Sequence, residues 1–114
     1  MNAAVLPPGF ESLESFAAYW ARPTSNGRLA ARCEASMADI QAFYDAMLPL
    51  APNALALLDA TPVHEYPPPL VTLAQLMLSL AQAAVAVEMH GQPRSPNTPW
   101  PNSVRVVGAA APYA

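Results

Sequence analysis

The chain has 114 residues, a formal net charge of −3, 54% hydrophobic residues and only 11% charged ones. One domain of this length supports a modest core, and the charged share falls well below the roughly 25% of an ordinary soluble domain. The five cations among the 114 residues are all arginines, so lysine Schiff-base chemistry is excluded, and no cationic face exists for nucleic acid or anionic lipid.

Residues 1–9 read as a loose lead-in closed by Pro7, Pro8 and Gly9, with neither the basic region nor the apolar core of an export signal. The segment FESLESFAAYWAR then puts Phe10, Leu13, Phe16 or Ala17, and Trp20 on one helical face, with Glu11 and Glu14 in the first turn. Pro23 stops that helix.

A turn at 24–27 supplies an N-cap, Ser25 or Asn26, for a second and longer helix. Leu29, Cys33, Met37, Ile40, Tyr44 and Met47 follow one another at four- and three-residue steps, which is a packing seam. Arg28, Arg32, Asp39 and Asp45 lie off the seam and are expected in solvent. Pro49 and Pro52 bracket a kink or break, after which Leu55 and Leu58 mark a short helix to about Asp59. Thr61 and Pro62 can open one more turn, and Pro67, Pro68 and Pro69 impose an extended connector.

The third principal helix holds the most informative stretch, LVTLAQLMLSLAQAAVAV at 70–87, eighteen residues without a charge. Thr72 and Gln75 have the form of a capping box, although Pro68 or Pro69 can equally start the helix. Its polar members Thr72, Gln75, Ser79 and Gln82 form one thin stripe, expected to be the solvated side. His90, Gly91 and Pro93 end it. The remainder is proline-punctuated coil, with strand propensity only at 104–107.

These elements predict an all-α fold: a small bundle of three main helices plus a short fourth over residues 1–91, with a Pro-rich C-terminal arm at 92–114. Eighteen uncharged residues reach the length of a membrane span, but two glutamines near the middle, many alanines and the lack of aromatic or basic flanks argue against one. A helix apolar on nearly every side must instead bury more than one face. Leu73, Leu76, Leu80 and Ala84 serve one seam; Val71, Leu78, Val85 and Met89 serve another.

Chemistry is poorly marked. His64, Glu65, Glu88, His90 and Cys33 are the metal-ligand residue types, yet Glu88 and His90 lie roughly 200° apart on a helix and cannot converge. No metal and no cofactor is therefore expected. Glu88 is the one acid near the uncharged helix, with a plain role at its end reaching solvent or Arg94. Arg28 and Arg32, one turn apart, could share an anion, but solvated arginines are the simpler account. The single Cys33 is most simply a small buried thiol and fits a reducing cytoplasm. With glycine only at 9, 27, 91 and 108, no phosphate cradle exists.

The function expected from these features is protein–protein contact by a small soluble cytoplasmic protein, as a homodimer or as accessory subunit of a larger enzyme. The expected contacts are Leu73, Leu76, Leu78, Leu80, Val85, Val87 and Trp100, the last because a tryptophan on an extended arm should plug into something. The alternative is a small enzyme or carrier holding an apolar ligand between the second and third helices. Phe43, Tyr44, Met47, Leu76 and Met77 would line that pocket, with Glu88 beside it.

Overall fold

The computed structural model describes residues 5–93. The proposed arm beyond Pro93, with the 104–107 patch, Arg94 and Trp100, lies outside the described residues. What is described is all-helical: α1 (Glu14–Trp20), α2 (Ser25–Glu34), α3 (Met37–Met47), α4 (Ala51–Asp59) and α5 (Pro68–Ala84).

From Val5 the segment before α1 is docked, which corrects the expectation of a loose lead-in for the described residues 5–9. The Glu14 carboxylate accepts from the amides of Val5 (3.1 Å) and Leu6 (3.0 Å). Leu6 and Phe10 are buried in the main core. Glu11 accepts from the Gly9 amide at 3.0 Å, with Gly9 at φ 97°, where a side chain is strained. Two acids expected to complement a helix dipole are thus also the partners of backbone N–H groups that precede the helix.

The second expected helix is two helices. Ala35 and Ser36 adopt extended backbone, and the Ser36 hydroxyl caps α3 by accepting from the Asp39 amide at 3.1 Å. The break re-aims α2. Its buried positions are Arg28, Ala31 and Arg32, spaced three and four apart, while Leu29 and Cys33 are only half-buried. The arginines expected in solvent are therefore 3% and 9% exposed. Arg28 meets burial by donating to the Arg22 carbonyl (2.8 Å) and the Ser25 hydroxyl (3.2 Å), and its pKa is lowered by desolvation. Arg32 reaches the Cys33 sulfur at 3.9 Å and keeps its Nε without a partner.

Pro49 does not end the next rod. A 3₁₀ turn at Leu48–Leu50 joins α3 to α4 with helical dihedrals on both sides, so the continuation is the kinked one. Extended chain at Pro67 then leads into α5, whose first turn holds Pro68 where no N–H is missed.

α5 is the hub and packs against α1, α2, α3 and α4. Its buried residues, Leu70, Leu73, Ala74, Leu76, Ser79, Leu80 and Ala83, join Leu13, Trp20, Ile40, Phe43, Met47, Ala54 and Leu58 around one centre. The Trp20 and Phe43 rings stack at 4.5 Å with 6° between planes, and Phe16 meets Phe43 at 5.6 Å. Side chains answer carbonyls freed near helix ends: Ser79 donates to Trp20 O (2.5 Å) and Tyr66 to Leu58 O (2.8 Å). α5 runs into a π turn at Val85–His90, closed by Gly91 at φ 66° with its amide on Ala86 O.

Candidate interaction face of α5

The polar stripe of α5 is split, with Ser79 inward and Gln75 and Gln82 on the outward side. Ser79 is completely buried, Thr72 donates back to Pro68 O at 3.2 Å, and Gln75 and Gln82 are half-buried. Opposite the buried arc of Leu73, Leu76, Ser79, Leu80 and Ala83 lies a different line: Val71, Gln75, Leu78, Gln82 and Val85. Each of these is half-buried, and Met89, at the next step, is 75% exposed. Ala81 beside the line is exposed. The face carries no charge between 70 and 87.

This arrangement sorts the sequence-based contacts. Leu73 and Leu76 are fully buried and Leu80 is 8% exposed, so all three belong to the chain's own core. Val87 is half-buried against that core. Leu78 and Val85 stand on the outward line, and Trp100 lies outside the described residues. The seam of Val71, Leu78, Val85 and Met89 is left partly uncovered by the chain. Residue spacing alone had grouped these four as a second seam.

The apolar-pocket residues are packed rather than parted. Phe43, Met47 and Leu76 are fully buried, and Trp20 stacks on Phe43. Tyr44 and Met77 are half-buried against the same cluster. Glu88 is exposed and accepts a short hydrogen bond from the Tyr44 hydroxyl, tying α3 to the end of α5. That carboxylate raises the phenol's pKa above its ordinary 10.0, through the hydrogen bond first. His64 and Glu65 pair at 3.3 Å, both largely in solvent. Among the described residues no group of three or more His, Cys, Asp or Glu is placed to hold a metal ion.

An open cleft of about 380 Å³ lies elsewhere, between α1 and the α2–α3 corner, lined by Phe16, Tyr19 and Trp20 with Glu34, Ser36 and Asp39. Sequence reasoning missed it, because the corner itself was read as continuous helix.

The run Pro68–His90, 23 residues with mean hydropathy 1.9, is long and apolar enough to cross a membrane, and 44% of its most apolar window is buried within the chain. Comparison with known proteins finds no matching family model, no similar curated protein and no similar solved structure.

Proposed function

We propose that this protein acts through protein–protein contact, and that the outward line of α5 takes a second copy of the chain. The observation that carries the reading is the uncharged line itself. Val71, Leu78 and Val85 repeat every seven residues, with Gln75 and Gln82 at the alternate seam position and Met89 at its end. Such a line suits helix-on-helix packing. Two chains of net charge −3 can meet there without setting like charges face to face. Glutamines on a two-fold seam have each other's amide groups as partners, since each side chain both donates and accepts. Ala81 alongside permits close approach of the backbones.

The strength follows from size. A helix face about 27 Å long and about 10 Å wide offers less than the ~800 Å² per partner of a standard interface. A dimer of micromolar rather than nanomolar strength is expected. We place it in the cytoplasm, which suits the free thiol of Cys33. Docking of the same line onto a larger subunit is the other form of this reading.

Leu78→Glu tests it. The variant should keep the circular-dichroism signature of the wild type and elute later than it on size exclusion, because the carboxylate enters an interface and not a core. Unchanged elution of variant and wild type would remove the proposal. Loss of helicity would assign Leu78 to the interior instead.

A further inference from the structure

The cleft between α1 and the α2–α3 corner is separate from the α5 line and has a chemistry of its own. Its wall is aromatic: Trp20 is 3% exposed, and Phe16 and Tyr19 are half-buried. Two carboxylates, Glu34 and Asp39, are among its lining residues, and no Lys, Arg or His is. Arg22, which stacks on the Tyr19 ring at 4.7 Å, is not part of the lining.

The carboxylates are unequal in their local justification. Asp39 sits in the first turn of α3, where an anion is favoured, and Ser36 already caps that end. Glu34 is the last residue of α2, where the helix dipole disfavours an anion. Neither side chain forms an ion pair among the described residues. The Tyr19 phenol's pKa is raised, by burial first; Arg22 beside it acts in the opposite sense, and Glu34 and Asp39 raise it by less than either, so the fields of both carboxylates reach the aromatic wall. Both residues are exposed, so a cation in the cleft would meet carboxylates that water otherwise solvates.

We propose that this cleft binds a small organic cation, an ammonium group carried on an apolar or aromatic body. The body lies against the half-buried Phe16 and Tyr19 rings, Trp20 being already stacked on Phe43, and the ammonium is drawn to Glu34 and Asp39. At about 380 Å³ the cleft is near the small end of the roughly 300–1,000 Å³ range of ligand sites. One ring and a short amine fit; a peptide helix does not.

The test is an amide NMR titration of the full chain with benzylammonium, and with benzyl alcohol as its neutral counterpart. Saturable shifts confined to α1 and residues 34–39 are expected with the ammonium, and binding of the alcohol weaker by about fivefold or more. Glu34→Gln should weaken the ammonium about two- to fivefold. Should that variant fold poorly, raising salt to ~0.5 M on the wild type must weaken the ammonium and leave the alcohol unchanged. No saturation up to ~10 mM, equal affinity for the two probes, or shifts centred elsewhere would overturn the proposal.

Discussion

Ser79 shows what a single polar atom does inside this fold. Its hydroxyl is wholly buried and donates to the carbonyl of Trp20, the last residue of α1. Ser79→Ala keeps the shape and leaves that carbonyl one partner, the Arg22 amide at 2.9 Å. A loss of about 1 kcal/mol is expected by denaturant titration, the net worth of one hydrogen bond; no change would mean that the bond does not hold α1 to α5. The Tyr44–Glu88 tie makes a pH prediction. Because the folded phenol's pKa is raised above its ordinary 10.0, the tie's contribution is present below that pH and lost as pH rises through the folded value. Residue-resolved NMR should find Tyr44 titrating above 10.0, and Glu88→Gln should bring it back toward that value. A wild-type titration at or below 10.0 contradicts the tie. Neither bond was legible in the sequence, since the partners are 59 and 44 positions apart. The buried arginines were illegible for a related reason. Spacing assigns a helix face but not which face a neighbour takes, and backbone carbonyls such as that of Arg22 leave no trace in side-chain pattern.

At the scale of elements, the apolar spacing concealed the α2–α3 corner. Leu29, Cys33, Met37 and Ile40 keep step through residues 35 and 36, so periodicity reads straight across a place where the chain turns. The capping signal was nonetheless present: Ser36 followed three residues later by Asp39. The reverse held at Pro49, a breaker that only converts one turn to 3₁₀ geometry, since a tightened turn tolerates a missing donor. Ends governed by local chemistry were read well at Pro23 after α1 and at the left-handed Gly91; the start of α5 had been left open between Thr72 and Pro68 or Pro69, and only Pro67 of the expected extended triplet is extended. Ser36→Ala should cost about 1 kcal/mol and speed hydrogen exchange in the first turn of α3. If exchange there is unaltered, the corner is held by packing alone and the cap is incidental.

On the scale of the whole molecule, the long apolar helix proves to be packed by four others, which bury a little under half of its most apolar window. Leu73, Leu76 and Leu80 answer to the chain's own core, so the excess apolar surface is narrower than composition suggested. What remains is Val71, Leu78, Val85 and Met89 with two glutamines between them. The pattern was visible from residue spacing, but its outward side was only half legible, because the polar stripe shares Gln75 and Gln82 with that side while Ser79 is buried. Polar residues mark a solvated face only when no buried acceptor claims them, and Trp20 O claims Ser79. If Pro68–His90 instead served as a span, the helices around it would have to leave it, and the protein would sediment with membranes when expressed without detergent.

Sedimentation equilibrium of the wild-type chain, carried to ~100 µM, measures association most directly. The account predicts a mass rising with concentration toward twice the 12.1 kDa of one chain, and Leu78→Glu holding at the single-chain value. A wild-type mass fixed at 12.1 kDa across the whole range would contradict it.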